Sequence, residues 1–312
     1  MKVMFMGTPD FAVGTLEALL AAGHEVELVV TQPDRPKGRS GRLCAPPVKE
    51  CALRHGLSVY QPTRVREEEN MEYLCTFHPD IIVVAAFGQL LPQRLLDLPR
   101  YCCMNIHASL LPKYRGASPI QWAVLNGDPV SGVTAMRMDA GLDTGDIMAQ
   151  TEVILAPDET AGSLFDRLAE AGAQLAVDTM SRLEAGTVSY APQDAELATH
   201  TAMIHKELGL INWARPAAEI ERLIRGLNPW PSAYTYYNGR NFKIWKARVT
   251  EADSDAQPGM VICADKNGFV VQTGSGALEL LEVQLEGRKR MDAGAFLRGN
   301  TVETGVFLVS DD

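Results

Sequence analysis

The sequence predicts a doubly wound α/β domain with a mostly parallel sheet, followed by a small antiparallel β-barrel. Short apolar strands alternate with helical stretches as far as Gly186. Within that alternation DIIVVAAFG (80–88) is apolar almost without a break, as a central strand covered on both faces must be. Beyond residue 207 the pattern changes to short strands separated by tight turns.

KVMFMG (2–7) is the first strand and ends in glycine; Phe11 to Leu20 follows with helical spacing. EVELVVTQ (25–32), SVYQP (58–62) and DIIVVAAFG (80–88) are the next strands, YCCMNIHAS (101–109) is a fifth, and VTAMRMD (133–139) with IMAQTEVIL (147–155) form a later pair. Residues 118–127 and 160–186 read as helices, the second with Thr160 as N-cap and Gly186 as stop. Strands alternating with helices build a doubly wound sheet. Residues 187–206 hold no sustained apolar period, so domains are expected at 1–189 and 207–312, with a linker at 190–206. In the second domain the helix 214–227 is stopped by NPWP, and Asn238-Gly239 and Asn267-Gly268 are hairpin turns. Five or six short strands in roughly 100 residues fit a small closed barrel of OB-like type.

The 312 residues are 46% hydrophobic and 22% charged, which excludes a disordered chain. No apolar run approaches the ~20 residues of a spanning helix. The start, MKVMFMGTPDF, lacks the regions of a signal peptide, so the protein is expected in the cytoplasm. Six cysteines include no Cys-x-x-Cys pair, which supports neither a disulfide framework nor a zinc site. The net charge of −10 opposes a general nucleic-acid binder. Its acid excess is uneven, however: residues 1–189 hold 16 basic against 23 acidic side chains, and residues 207–312 hold 12 against 14. The nearly neutral C-terminal part leaves room for an anionic partner.

The loop after the first strand, Gly7-Thr8-Pro9-Asp10-Phe11, has neither the G-x-G-x-x-G nor the Walker pattern, so nucleotide cofactors are not expected. There is no G-x-S-x-G elbow, which makes Ser109 and Ser118 poor nucleophiles. The best site is the end of the fifth strand. Ligands of open α/β sheets sit outside the carboxyl ends of strands, and alternation puts Asn105 and His107 on one face with Ile106 on the other. An amide donor beside an imidazole suits a reaction that develops an oxyanion and moves a proton. A hydrogen-bonded strand end without chemistry is the other reading of the same residues. Asp139-Ala-Gly-Leu-Asp143-Thr-Gly145-Asp146 packs three carboxylates and two glycines into eight residues. A carboxylate there could orient His107; alternatively the segment is an Asx-and-glycine turn. It lacks EF-hand ligand spacing. Two basic clusters stand apart from these: Arg35, Lys37, Arg39 and Arg42 in one loop, and Arg240, Lys243, Lys246 and Arg248 with Arg288, Lys289 and Arg290 in the second domain. They suggest an RNA track against the alternative of a solvated charged surface.

NIHASLLPKYRGASPIQWAVLNGD (105–128), GLDTGDI (141–147), MGTPDFA (6–12), TQPDRPKGR (31–39) and GLNPWPSAY (226–234) resemble the folate-dependent formyltransferases along the whole chain. The 31–39 loop and the C-terminal barrel narrow the resemblance to members that act on tRNA. It implies a Rossmann-like catalytic domain with an OB-like tRNA-binding domain. The reaction implied is transfer of the formyl group of 10-formyltetrahydrofolate to the α-amino group of methionine on initiator methionyl-tRNA. It makes Asn105, His107 and Asp143 the catalytic trio. Ser109, Leu110, Leu111 and Pro112 contact the folate, and Phe87, Gly88, Gln89 and Leu90 hold the pterin with the 139–143 loop, Asp139 included. Arg35, Lys37, Arg39 and Arg42, with Lys243, Lys246 and Arg248, meet the tRNA. One departure is local: the loop reads Ser40-Gly41-Arg42-Leu43-Cys44 where relatives often place a further Gly or Lys. No metal and no membrane are required, and a monomer is expected. The same trio also serves transfer to another amine (glycinamide ribonucleotide or a nucleotide amino-sugar), or hydrolysis of the formyl-folate. A non-catalytic tRNA-binding protein is the reading from another class.

Overall fold

The computed structural model describes residues 1–37, 41–250 and 254–308. In chain order the first elements are β1 (Lys2–Gly7), α1 (Asp10–Ala21), β2 (Glu25–Val30), β3 (Arg35–Lys37), β4 (Arg42–Cys44), α2 (Pro47–Arg54), β5 (Val59–Tyr60), α3 (Glu68–Leu74), β6 (Ile81–Ala85), α4 (Gln93–Leu96), β7 (Cys103–His107) and β8 (Arg115–Gly116). There follow α5 (Pro119–Asn126), β9 (Val130–Arg137), β10 (Ile147–Ile154), α6 (Ala161–Glu184) and β11 (His200–Thr201). The chain divides into two units, the first made of Met1–Pro119, Val130–Ile154 and Phe165–Thr201, the second of Ile120–Pro129, Leu155–Leu164 and Ala202–Asp312.

In the first unit seven strands form one sheet in the order β10-β9-β7-β6-β1-β2-β5. Pairing is parallel from β7 to β5 and antiparallel where β9 meets β7 and β10. β6 and β7 are buried at every position; β6 accordingly runs apolar without alternation, whereas β7 carries Asn105 and His107 alternating with apolar Ile106. On one face Met4, Met6, Leu28, Val30, Ile82, Val84 and Cys103 pack with Met71 and Leu74 of α3 and Leu95 of α4. On the other, α6 comes so close that a Cβ on Gly172 would lie 3.0 Å from the Ile106 side chain. Gly7 is equally constrained: a Cβ there would lie 2.8 Å from Ala12 and 2.9 Å from the Ala85 carbonyl. Close packing of α1 on the sheet accounts for that glycine with no phosphate involved.

Two features were not legible at the sequence level. The loop of the first basic cluster contains a hairpin, Arg35 opposite Cys44 and Lys37 opposite Arg42. The stretch read as a linker belongs to the first unit as far as Thr201: Ala191 exchanges backbone hydrogen bonds with Ile147, and β11 pairs with β8.

The second unit contains α7 (Ala217–Gly226), β12 (Ala233–Tyr237), β13 (Arg240–Thr250), β14 (Val261–Asp265), β15 (Gly268–Gln272), β16 (Ala277–Leu285), β17 (Met291–Asp292) and α8 (Ala293–Gly299). Its strands pair antiparallel in the path β12-β13-β16-β15-β14, with β17 on β16. Among the described residues no ladder joins β12 to β14. Asn238 and Gly239 both take positive φ, 51° and 68°, as the two-residue turn between β12 and β13 demands. Ile220 and Ile224 of α7 and Phe296 of α8 complete a core with Phe242, Phe269, Leu278 and Leu280. No described helix is long and apolar enough to cross a membrane.

Candidate active site

Asn105 and His107 leave β7 on the same face, two residues apart, at 9% and 7% exposure. The side-chain amide of Asn105 makes no hydrogen bond among the described residues. Its amide atoms are not among the fully buried ones, so its N–H groups are open to a ligand.

His107 is held from both sides. Its Nε2 lies 2.9 Å from the carbonyl of Tyr114, which can only accept, so Nε2 carries a proton in that contact. Nδ1 is then the nitrogen that gains or loses a proton, and it faces Oδ2 of Asp143 at 3.7 Å. That separation is beyond a direct hydrogen bond, though it brings the carboxylate up against the ring. The same Oδ2 accepts the Gly116 amide at 2.8 Å. Asp143 sits at φ 53°, in the left-handed region that an L-residue occupies only where its surroundings hold it.

The loop carrying Asp143 divides the two sequence readings between two residues. Asp139 makes the Asx turn, accepting Gly141 N at 3.0 Å and Thr144 Oγ1 at 2.7 Å. Asp143 faces the imidazole. Between this loop, the end of α4 and the start of β7 is a cavity of about 260 Å³, lined among others by Leu96, Asp97, Cys103, Met138, Asp139 and Asp146. Cys102 also lines it. Burial pushes the Cys102 thiol up to about 11 and raises that of Cys103 as well. Neither is a nucleophile near neutral pH.

The other expected folate contacts are placed unevenly. Ser109 and Leu111 are buried, and the segment is pinned: Ser109 Oγ donates to the Lys113 carbonyl, Thr134 Oγ1 donates to the Ser109 carbonyl, and Gln150 donates to the Leu111 carbonyl. Leu110 and Pro112 are partly exposed. Phe87 is 2% exposed and belongs to the core. Gln89 braces the segment through Val65 N and the Thr63 carbonyl. Gly88 has φ 82°, and Leu90 is 65% exposed. The cavity takes its wall from Gln93 to Asp97, just after the expected residues.

Among the first basic cluster, Arg35 and Arg42 are exposed on the hairpin; Arg39 and the side chain of Lys37 lie outside the described residues. In the second unit the register of β13 shifts between Ile244 and Ala247. Strict alternation would put Lys243 and Lys246 on opposite faces; the bulge brings Lys243, Lys246 and Arg248 out together, with Phe242, Ile244 and Ala247 inward. Trp245 joins that outer face, with the Lys243 ammonium 5.5 Å and the Arg290 guanidinium 4.6 Å from its ring. Arg248 and Arg290 are already paired, with Glu279 and Glu282. Elsewhere, Glu17, Cys51 and His55 bring donor atoms within 4.8 Å of one another, a set the cysteine spacing did not reveal.

An amide donor, an imidazole held by a backbone carbonyl and a carboxylate facing that imidazole, gathered at β7 of an α/β sheet, fit a group-transfer enzyme. The family profile for formyl transferases matches residues 1–180, and that for the formyl transferase C-terminal domain matches residues 203–301. The methionyl-tRNA formyltransferase of Agathobacter rectalis is 63% identical over 307 residues, covering 98% of this chain and 99% of that protein. That of Lachnospira eligens is 56% identical over 313 residues, covering 99% of each. In fold, the chain is similar to an N-formyltransferase from Helicobacter canadensis solved with folinic acid and dTDP-3-aminofucose. The TM-score is 0.66 at 20% identity, over 90% of this chain and 98% of that one. The chain belongs to the formyl transferase family.

Proposed function

We propose that the protein transfers the formyl group of 10-formyltetrahydrofolate to the α-amino group of methionine on initiator methionyl-tRNA, the step that supplies formylated initiator to translation. The observation that carries this reading is that Asn105, whose amide is left open to a ligand, shares a strand face with His107 of the His107–Asp143 pair in a chain 63% identical to a methionyl-tRNA formyltransferase. As the neutral amine adds to the formyl carbon, its oxygen gains negative charge and the Asn105 N–H donates to it. His107, through Nδ1, stabilises the same charge when protonated and exchanges the proton lost by the amine, with Asp143 holding the imidazole for that exchange. Collapse of the adduct breaks the bond to N10, which regains a proton.

For the folate, the cavity offers apolar walls from Leu96 and Met138 and acceptors from Asp97, Asp139 and Asp146. A flat pterin with amino and ring N–H donors fits that acceptor set, with Ser109 to Pro112 and Phe87 to Leu90 as neighbouring contacts. Residues 1–189 would hold the chemistry, 190–206 link, and 207–312 bind tRNA. Arg35, Lys37, Arg39 and Arg42 serve the acceptor end and Lys243, Lys246 and Arg248 the RNA backbone. The enzyme acts as a monomer in the cytoplasm.

The test is formylation with labelled 10-formyltetrahydrofolate. Charged initiator tRNA is expected to become labelled and uncharged tRNA to stay blank. Label appearing on glycinamide ribonucleotide or an amino-sugar nucleotide instead would move the reading to another amine, and release of free formate alone would make the protein a hydrolase.

A second expectation concerns salt. Phosphate contacts release counterions, so tRNA affinity falls with salt, and losing one contact flattens the slope by about one unit. Lys246→Ala is expected to show this loss in a filter-binding series. Arg248→Ala should show less, because its guanidinium is already paired with Glu279. Unchanged affinity and slope in both would leave this face a solvated surface.

A further inference from the structure

We propose that Gln193 is a positioning residue for the reaction, clamping the loop that presents Asp143 to His107; this rests on the formyl-transfer reading above. Gln193 comes from the stretch that carries no sequence signal of its own. Its Nε2 donates to two carbonyls of the loop, Asp143 O at 2.9 Å and Gly145 O at 2.7 Å. Its Oε1 accepts from Nε and Nη2 of Arg115 at 3.0 and 2.8 Å. The two Arg115 bonds fix which end of the amide is nitrogen, since a guanidinium only donates and the carbonyls only accept. Arg115 is buried at 7% exposure, so the amide is anchored on a side chain with little freedom.

The clamp closes a circuit around the imidazole. Arg115 follows Tyr114, whose carbonyl accepts from His107 Nε2, and precedes Gly116, whose amide holds the Asp143 carboxylate. One amide thus ties the backbone on the Nε2 side of His107 to the backbone that bears its Nδ1 partner. Asp143 has a left-handed backbone conformation, which relaxes unless the loop is held. Two hydrogen bonds, one on Asp143 itself and one two residues on, supply that hold.

Gln193→Glu separates this role from a merely structural one. The carboxylate keeps the size of the side chain and strengthens the bond to Arg115, yet it has no N–H for either loop carbonyl and repels both. If Gln193 only satisfies Arg115, Gln193→Glu should match the wild type. If it clamps the loop, kcat for formyl transfer should fall on the order of 10²-fold, as a displacement of about 1 Å in a catalytic group costs. The kcat–pH profile should change with it. Neutral, similarly sized Gln193→Met should lose kcat likewise. In an Asp143→Asn background it should cost little more, because the residue acts through Asp143.

Rates are referred to the folded fraction from circular dichroism, so instability alone leaves the rate per folded molecule unchanged and overturns the proposal. Wild-type kcat and pH profile in Gln193→Glu, or full additivity of Gln193→Met with Asp143→Asn, would also overturn it. Absence of formyl transfer in the wild type would instead sink the functional reading beneath it.

Discussion

Asn105→Ala is expected to lower kcat about 10²- to 10³-fold, the loss measured elsewhere for removing one oxyanion donor, equivalent to ~3 kcal/mol. The Asn105 amide makes no hydrogen bond among the described residues, so shortening it strands no buried partner and the thermal midpoint should hold. Ground-state binding should hold too, because the donor acts on charge that appears only as the amine adds. The signature is therefore a fall in kcat with KM for tRNA and for the formyl donor nearly unchanged. Asn105→Asp should do no better, since a carboxylate of the same shape can only accept. Single-turnover formylation by each variant, beside its melting curve, decides the matter. A rate for Asn105→Ala close to wild type would remove the oxyanion role and leave the amide a structural group.

The strands that build this site were legible because burial leaves a strong mark on sequence. β6 is covered on both faces, so Ile81–Ala85 stands out as an apolar run, and alternation along β7 pairs Asn105 with His107. The site's remaining parts depend on contacts far apart in the chain. Gln193 lies 50 residues beyond Asp143 and nothing in its neighbours marks it. The β3–β4 hairpin has three residues to a strand and a proline in one of them, too little for a period to register. On β13 the period was readable but the face was not, because a bulge reverses the parity between Ile244 and Ala247. Phe87 shows an ambiguity of another kind. A large apolar residue beside a predicted ligand edge suits core and pocket equally, and only packing decides between them. Asp139 and Asp143 present the same ambiguity four residues apart, and the fold gives each residue one of the two roles.

Gly145→Ala is expected to impair activity severely through the backbone alone. A Cβ at this position would lie 1.7 Å from the Arg137 carbonyl oxygen, 2.9 Å from its carbon and 3.3 Å from the Asp139 amide nitrogen. All three are main-chain atoms, so no side chain can swing aside; either β9 or the loop must shift. The β9 end is tied by the Arg137 N–H to the Asp146 carbonyl, and its strand is paired on both sides, with β7 and β10. The loop is the softer partner. Moving it displaces the carbonyl that accepts from Gln193, and with it Asp143 and the cavity wall at Asp139 and Asp146. A displacement on the order of 1 Å lowers turnover ~10²-fold, and here the donor pocket deforms as well, so kcat should fall and KM for the formyl donor should rise. Gly14 supplies the control. A Cβ there meets nothing nearer than 3.9 Å, and the residue lies within α1. Gly14→Ala should keep full activity and raise stability by about 0.5–1 kcal/mol, through the ordinary helical preference of alanine over glycine. Steady-state kinetics and chemical denaturation of the two variants test the argument together. A Gly145→Ala enzyme with wild-type kinetics would show that the loop accommodates the methyl group without moving Asp143, and the rigid placement of that carboxylate would have to be given up.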